Sequence, residues 1–353
     1  MWLGYSKKWW AIATASFVCI VLITFIGLTI ANRSDSTQDA AERSTSNSDV
    51  DSDGSAGGEG TGLTGSKVGV SGSVVSTRNL KGMLAQINQI DICEAPDLKA
   101  YITVTAEDAS AVSKLTKNDF KVYVDGKESK DFSLELVSKK NLSMQSTLII
   151  DRSGSMRGEP MQKAKEAAIA YVNGSNTIDK TSIIQFGTTV ETRQGFTTDK
   201  TAAINAINAM QAGTDTALYD AINTAANQAP QCGRKAIIAL SDGGDTASKS
   251  ATLEAAIQRA NAVNTPVFVV GLKSSDFTPD ILRSIAEKTG AQYFEAPTPA
   301  DLGTMYQKIS NQIGNQYYLS FKLNINKTGG EHRLKITSTV EGSPTTSERS
   351  FVY

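Results

Sequence analysis

One carboxylate and two hydroxyls follow a predicted strand at alternate positions. Residues 146–156 have the sequence STLIIDRSGSM, so Asp151, Ser153 and Ser155 come directly after an apolar run. Hard divalent cations prefer oxygen ligands, and hydroxyls with one or two carboxylates suit Mg²⁺ or Mn²⁺ better than the Cys and His ligands of zinc. The spacing outlines a cation site, although a single D-x-S-x-S is a weak signal.

Two later segments add oxygen ligands in comparable places. Thr214 lies in AGTDTALYDA, just before a helix predicted from apolar periodicity, and Asp242 lies in KAIIALSDGGDT, just after another apolar strand. Open α/β sheets bind their ligands in loops beyond the carboxyl ends of the strands. The three segments therefore point to one common site.

The order of these three motifs resembles that of a von Willebrand factor type A domain with an intact metal ion dependent adhesion site. The resemblance covers residues 142–315 and is specific, because three separated motifs have to coincide. It implies that Ser153, Ser155 and Thr214 bind the metal through their hydroxyls, and that Asp151 and Asp242 bind it directly or through water. The implied metal is Mg²⁺, with Mn²⁺ or Ca²⁺ as alternatives. In the family, an Asp or Glu of a protein partner completes the coordination.

Alternative roles exist for each of these residues taken singly. A lone Ser or Thr more often caps a helix or a turn than binds a metal, but five such residues in register favour the site. Asp215, Asp220 and Asp245 lie nearby in the sequence, and we expect them outside the ligand set. Ala212 replaces a Gly that many relatives carry, and this change leaves the ligands intact.

The amino-terminal segment differs in kind from the rest of the chain. Residues 9–31 form an uncharged stretch of 23 residues, which is long enough to cross a bilayer as a helix. Trp2, Trp9 and Trp10 cluster at one end of it, as in an interfacial aromatic belt. We predict a cytoplasmic tail (1–8) and a transmembrane signal anchor (9–31), with the N-terminus inside and the bulk extracellular or on the cell surface. A cleaved signal peptide is the alternative, although its apolar core is usually shorter.

Composition separates the remaining segments. Residues 32–66 are rich in Ser, Asp and Gly with few apolar side chains, which predicts a disordered linker. The formal net charge of −1 and the lack of a dense basic run argue against a nucleic-acid partner. The folded part therefore begins near residue 67.

Residues 67–141 and 316–353 both show short alternating strands. Neither set buries a hydrophobic face alone, so we predict that both build one small all-β sandwich, in or next to which the α/β domain is inserted. The first set also resembles the immunoglobulin-like unit that precedes such domains in many bacterial surface proteins. The Asp-Gly of VDGK (124–127) predicts a hairpin between strands 120–124 and 132–137.

The central part, residues 142–315, predicts an α/β fold with a doubly wound, mostly parallel, Rossmann-like sheet. Residues 148–150, 183–186, 236–240 and 267–270 are continuously apolar, as in parallel strands that are covered on both faces, and helical patterns alternate with them. Cys232 precedes the third of these strands, at the pole opposite the metal loops, where the sandwich with Cys93 should lie. A disulfide between them is feasible, and two free buried thiols are an equal alternative.

The single histidine, His332, lies in a predicted strand far from the metal loops, so a Ser-His-Asp or Cys-His device lacks its base. We therefore expect no enzyme. The sequence favours a membrane-anchored extracytoplasmic protein whose Mg²⁺ site binds a protein partner through an Asp or Glu. The alternative is a scaffold subunit of a cell-envelope assembly, in which the metal only stabilises the fold. The oligomeric state stays open.

Overall fold

The computed structural model describes residues 74–275, 277–323 and 330–352. The predicted tail (1–8), transmembrane helix (9–31) and linker (32–66) lie outside these residues. Within the described ranges, no helix is both long and apolar enough to cross a membrane.

Six strands precede the α/β domain. They are β1 (Val74–Thr77), β2 (Leu84–Asp91), β3 (Asp97–Thr105), β4 (Phe120–Val124), β5 (Lys127–Ser129) and β6 (Phe132–Leu136). Asp125 and Gly126 form the turn between β4 and β5, and both have positive φ, as two-residue hairpin turns require.

The predicted hairpin between residues 120–124 and 132–137 is wrong in its second strand. β4 pairs with the short β5, and β6 belongs to the other sheet of the sandwich. The Asp-Gly turn itself is present, but the strand that follows it, β5, has only three residues. The chain then crosses to the other sheet. The crossing buries the side chain of Phe132 in the sandwich core, which an exposed hairpin would leave in water.

The α/β domain follows and consists of six strands and six helices. The strands are β7 (Met144–Asp151), β8 (Lys180–Phe186), β9 (Val190–Thr197), β10 (Arg234–Ser241), β11 (Val267–Leu272) and β12 (Tyr293–Ala296). The helices are α1 (Glu159–Gly174), α2 (Lys200–Asn208), α3 (Leu218–Gln228), α4 (Leu253–Ala262), α5 (Pro279–Lys288) and α6 (Leu302–Gly314).

The α/β sheet has the strand order β12-β11-β10-β7-β8-β9. All its neighbours are parallel except β9, which is antiparallel to β8. One apolar core lies between the sheet and α1, α2 and α6, and a second lies between the sheet and α3, α4 and α5. The doubly wound α/β fold is thus confirmed. The four predicted strands lie within β7, β8, β10 and β11. Two further strands, β9 and β12, were not predicted.

Three strands complete the chain: β13 (Tyr317–Lys322), β14 (Glu331–Val340) and β15 (Ser343–Val352). They interleave with the first six strands in two sheets of order β1-β15-β14-β4-β5 and β2-β3-β13-β6. β13 pairs directly with β6, so the chain leaves the sandwich and returns to it on neighbouring strands. One apolar core fills the space between the two sheets.

Polar side chains of β2 attach the sandwich to the α/β domain. Asn88 donates to the carbonyl of Gly290 at 2.7 Å, and Gln89 donates to the carbonyl of Gly233 at 2.7 Å. Gly233 and Gly290 precede β10 and β12, so the attachment is at the amino ends of the parallel strands. The carboxyl ends of these strands form the opposite pole.

Arg349 of β15 is fully buried in the same interface. Its guanidinium donates to the carbonyl of Asn88 at 2.5 Å and to the carbonyl of Thr289 at 3.1 Å, and thereby joins the two domains. A Cβ on Gly290 would lie 2.5 Å from this guanidinium, and the backbone there has a φ of +82°. Position 290 therefore requires glycine on both counts.

Cys93 and Cys232 form a disulfide with a Cα–Cα distance of 5.8 Å. The bond joins the β2–β3 turn of the sandwich to the loop that precedes β10. Asp91 stabilises both sides of it, because its carboxylate accepts from the backbone N–H groups of Cys93 at 3.1 Å and of Gly233 at 3.0 Å. Of the two alternatives that the sequence leaves open, the structure has the disulfide.

Candidate metal centre

The first loop of the site follows β7, the strand between β8 and β10 in the sheet. Asp151 is the last residue of β7 and is completely buried, whereas Ser155 lies in the exposed part of a short 3₁₀ turn (Gly154–Met156). The turn positions the two serines over the end of the strand before α1 begins. A buried carboxylate thus lies beneath one buried hydroxyl, of Ser153, and one exposed hydroxyl, of Ser155.

Four of the five predicted ligands form one hydrogen-bonded group. The backbone N–H of Ser153 donates to Oδ1 of Asp151 at 2.7 Å. The Oγ of Ser153 lies 3.1 Å from the Oγ of Ser155 and 3.4 Å from Oδ1 of Asp242. Because β7 and β10 are neighbouring parallel strands, their carboxyl ends place Asp151 and Asp242 side by side.

The fifth predicted ligand, Thr214, is joined to this group through its backbone. Its carbonyl accepts from the N–H of Gly154 at 2.6 Å, which places the α2–α3 loop against the first loop. Its Oγ1 lies 2.6 Å from Oγ1 of Thr188, in the turn between β8 and β9. Thr214 is therefore adjacent to the other four residues, while its hydroxyl is held from outside the predicted set.

The hydrogen bonds of Thr188 orient the hydroxyl of Thr214. Thr188 donates to Oδ2 of Asp215 at 2.9 Å, and a carboxylate only accepts. Oγ1 of Thr214 also has this carboxylate oxygen as an acceptor, at 3.3 Å, and the 2.6 Å contact between the two threonines can have either hydroxyl as its donor. In both arrangements the proton of Thr214 points to Thr188 or to Asp215, so a lone pair of Thr214 remains available to a cation.

Arg152 holds the first and second loops together. Its carbonyl accepts from the N–H of Gly213, and its guanidinium donates to the carbonyl of Gln211 at 3.2 Å. A Cβ on Gly213 would lie 2.9 Å from this guanidinium. Any larger residue at 213, next to Thr214, would displace this guanidinium and crowd the carbonyl of Arg152, which would lie 3.3 Å from the new Cβ.

The electrostatics of the site suit a cation. Burial raises the pKa of the Asp151 carboxyl to about 6, the hydrogen bonds from Ser241 and Ser153 oppose this shift, and the negative charge of Asp242 adds to it. Two buried carboxylates side by side are costly without a positive charge.

The donor set also fits a hard cation. The groups that converge are carboxylate and hydroxyl oxygens, which Mg²⁺, Mn²⁺ and Ca²⁺ prefer. Within the part of the chain that the structure describes, no group of three or more His, Cys, Asp or Glu side chains is placed to hold a metal. The hydroxyls are thus essential to any metal site at this edge.

The three aspartates expected outside the ligand set have structural partners. Asp220 accepts from three backbone N–H groups of residues 249–251 at 2.7–3.0 Å. Asp245 accepts from the N–H of Tyr219 at 3.1 Å and from the hydroxyl of Ser248. Asp215 is the acceptor for Thr188. They hold the loops around the site in place.

Two residues of the site were missed from the sequence. Ser241, the last residue of β10, is fully buried and donates to Oδ2 of Asp151 at 2.6 Å. Ser241 is the Ser of the Ser-Asp-Gly motif. Its place directly before Asp242 could have indicated from the sequence that it belongs to the site. Thr188 had no local signal, because only the packing of the β8–β9 turn brings it to Thr214.

Comparison with known proteins relates the central domain to one family. Residues 147–308 match the family model of the von Willebrand factor type A domain, which supports such a domain in this part of the chain. No curated protein shows a significant sequence match to the chain.

Three solved structures with similarity to the chain have low sequence identity to it. A von Willebrand factor type A protein from Catenulispora acidiphila is 15% identical, with 82% of this chain and 76% of that chain covered and a TM-score of 0.47. An aerotolerance-related membrane protein from Bacteroides fragilis is 22% identical (48% and 98% covered, TM-score 0.42). Proximal thread matrix protein 1 of the mussel byssus, with a zinc-occupied MIDAS motif, is 16% identical (54% and 49% covered, TM-score 0.47).

Proposed function

We propose that the chain is a membrane-anchored extracytoplasmic protein that binds a protein partner through a Mg²⁺ ion. Asp151, Ser153, Ser155, Thr214 and Asp242 hold the ion, and an Asp or Glu of the partner completes its coordination. The observation that carries this proposal is the convergence of two buried carboxylates and two serine hydroxyls, with the loop of Thr214 hydrogen-bonded against them, at the carboxyl edge of the sheet in a region that matches the von Willebrand factor type A domain.

Each side chain has a distinct role in this proposal. The bound ion supplies positive charge and a coordination position for an external carboxylate. Asp151 and Asp242 retain the ion from the buried side, where Ser241 and the N–H of Ser153 fix the orientation of Asp151. Ser155 and Thr214 are exposed, so the side of the site that they form is open to a partner.

Two observations support a location outside the cytoplasm. The uncharged segment 9–31 is long enough for an anchor. The disulfide between Cys93 and Cys232 suits an oxidising compartment, since disulfides are rare in the cytosol. The anchor, its orientation and the metal identity are parts of the proposal.

Binding rather than catalysis is proposed because histidine, the commonest proton-transfer residue, is not among the residues of the site. The one histidine of the chain, His332, lies on β14 of the sandwich and hydrogen-bonds with Asp125 at 2.8 Å. It is therefore outside the α/β domain that contains the metal loops. A general base for hydrolysis at the cation would have to be a group other than histidine.

The test is thermal unfolding of the full-length chain in EDTA and in Mg²⁺, Mn²⁺ or Ca²⁺. A ligand that binds only the folded state raises the unfolding temperature, so we expect a rise in Mg²⁺ or Mn²⁺ that Asp151→Ala abolishes. Because Asp151 is buried, this variant can lose stability on its own account. Thr214→Val, at an exposed position, is the second test, and Thr189→Val in the neighbouring exposed turn is the control. An equal response of wild type and both site variants would refute the metal site.

A scaffold role is the second candidate, and the polar interface between the two domains favours it. Arg349, Asn88 and Gln89 together with the disulfide attach the sandwich firmly to the α/β domain, as a load-carrying subunit requires. The two candidates differ under chelation. In the binding protein, EDTA abolishes partner binding while the fold survives; in the scaffold, EDTA lowers stability and no separable ligand exists.

A further inference from the structure

A groove of about 290 Å³ opens beside the candidate metal centre. It lies between the β8–β9 turn, α3 and the loop after β10, and we call it the side groove. Its lining includes Thr188, Val190, Asn223, Ala247 and Lys249. Because Oγ1 of Thr188 is 2.6 Å from Oγ1 of Thr214, the side groove begins directly at a proposed metal ligand.

The side groove offers one positive charge. Its two charged lining residues are Asp220 and Lys249. The carboxylate of Asp220 is engaged by the N–H groups of Lys249 at 2.9 Å, Ser250 at 3.0 Å and Ala251 at 2.7 Å. Lys249 is exposed, and in the described ranges no carboxylate forms an ion pair with its amine. A partner that enters the groove therefore meets an available cation.

The loop that carries Lys249 is held against α3. The N–H of Thr216 donates to Oγ1 of Thr246 at 3.0 Å, and Asp245 accepts from the N–H of Tyr219 at 3.1 Å. With the contacts of Asp220, these bonds fix the backbone on both sides of Lys249. A binding surface that is already ordered loses less entropy when a partner arrives.

Asp215 lies beside the point where the side groove meets the metal ligand Thr214. Its Oδ2 accepts from Thr188 at 2.9 Å and lies 3.3 Å from Oγ1 of Thr214. Like charges at close range repel, so a second partner carboxylate is disfavoured at this point. Farther along the side groove, the positive charge of Lys249 favours a partner carboxylate.

We infer that the side groove binds a second acidic residue of the partner, so that the partner presents two acidic residues on one extended segment. The first completes the coordination of the metal, the second pairs with Lys249, and at least one uncharged residue between them passes Asp215. This inference rests on the proposed function, because the first acidic residue needs the metal.

The experiment selects binders from a displayed library of random linear peptides against the full-length chain at low ionic strength with Mg²⁺. Parallel selections use Lys249→Glu, the control Lys180→Glu at an exposed site on the opposite pole, and Asp151→Ala. For wild type and Lys180→Glu we expect peptides with two acidic residues separated by a short uncharged spacer. For Lys249→Glu we expect the first acidic residue to persist and the second to disappear or become basic. For Asp151→Ala we expect no Mg²⁺-dependent peptide.

Affinities of one selected peptide make the test quantitative. An exposed ion pair changes affinity by about two- to fivefold, so Lys249→Gln should weaken binding by that factor at low salt, and the loss should shrink at high salt. Peptides with one acidic residue, or unchanged motifs and affinities with the Lys249 variants, would overturn the inference while the proposed function stands. No Mg²⁺-dependent peptide for wild type would overturn both.

Discussion

The substitution Thr188→Val tests how the hydroxyl of Thr214 is oriented. The variant keeps the shape of the side chain but removes the oxygen that lies 2.6 Å from Oγ1 of Thr214 and the donor to Asp215. Without that oxygen, the proton of Thr214 keeps only the longer 3.3 Å contact with Oδ2 of Asp215, so the hydroxyl is held less firmly with its lone pair toward the cation. We therefore expect weaker metal binding, although Thr188 is not among the proposed ligands.

The geometry gives the size of the effect. One neutral hydrogen bond contributes about 0.5–1.5 kcal/mol, which corresponds to about a two- to twelvefold change in affinity. Substitutions of residues that orient metal ligands commonly cost about 10–100-fold. Because Thr188 is exposed and water can replace part of the lost contact, we expect a decrease of about tenfold in Mn²⁺ or Mg²⁺ affinity.

Isothermal titration of metal-free protein measures this affinity. Thr188→Ser should restore it because the hydroxyl returns, and the control Thr189→Val should leave it unchanged. In a Thr214→Val background, Thr188→Val should have no further effect, since its action passes through the hydroxyl of Thr214. Equal losses in both backgrounds, or unchanged affinity in the single variant, would refute the orientation argument. Unfolding in EDTA checks that Thr188→Val leaves the metal-free fold intact.

Three further predictions concern the supporting structure. Gly213→Ala places a Cβ 2.9 Å from the Arg152 guanidinium. We therefore expect the free energy of unfolding in urea to fall by about 1–2 kcal/mol and the metal-induced stabilisation to decrease. An unchanged urea midpoint would contradict this packing argument. Cys232→Ser removes a disulfide that spans 139 positions, and the chain-entropy model gives a loss of up to about 5 kcal/mol in the free energy of unfolding. Denaturation of oxidised wild type and of the variant measures this loss. The argument fails if reduced wild type is as stable as oxidised wild type. Burial lowers the pKa of the Lys235 ammonium to about 8, although the negative charge of Asp91 opposes this shift. The folded state therefore favours the neutral amine, and the contribution of Lys235 to the free energy of unfolding rises between about pH 8 and 10.5. The free energy of unfolding of Lys235→Met minus that of wild type should therefore decrease by up to about 3 kcal/mol as the pH rises from about 8 to 10.5. A difference that stays constant with pH would exclude the lowered pKa of Lys235.

Under the proposed function, the polar interface between the domains would lie on the path of any force that a bound partner applies. The sandwich is attached at the amino ends of the parallel strands, whereas the candidate metal centre is at their carboxyl ends. A partner bound at the metal would pull along β7 and β10, which run between the two poles. The disulfide at Cys232 and the buried Arg349 lie at the pole where this load leaves the α/β domain.

Much of the candidate site could be predicted from local sequence. Asp151 and Asp242 each follow an apolar run, and parallel strands that are buried on both faces have such runs. Once the strands are known to be neighbours, their terminal residues must lie together. The hydroxyls of Ser153 and Ser155 are close to Asp151 in the chain, so their proximity needs no tertiary information.

Other contacts could not be predicted because they depend on packing between distant segments. Thr188 reaches Thr214 only through the turn into β9, an edge strand whose exposed residues carry no apolar run. The transfer of β6 to the opposite sheet follows from burial of Phe132 in a core to which seven strands contribute. A hairpin signal such as Asp125-Gly126 reports the turn but not the length of the strand after it.

The sequence by itself determined four of the six strands of the α/β domain and the chemistry of the donors, because strand periodicity and the residues at strand ends are local properties. The tertiary structure alone decided that Cys93 and Cys232 are bonded, that Arg349 is buried between two domains, and that Asp215 orients Thr188. These outcomes depend on which distant segments share a surface. That choice is made by the packing of the whole chain, and no short stretch of sequence encodes it.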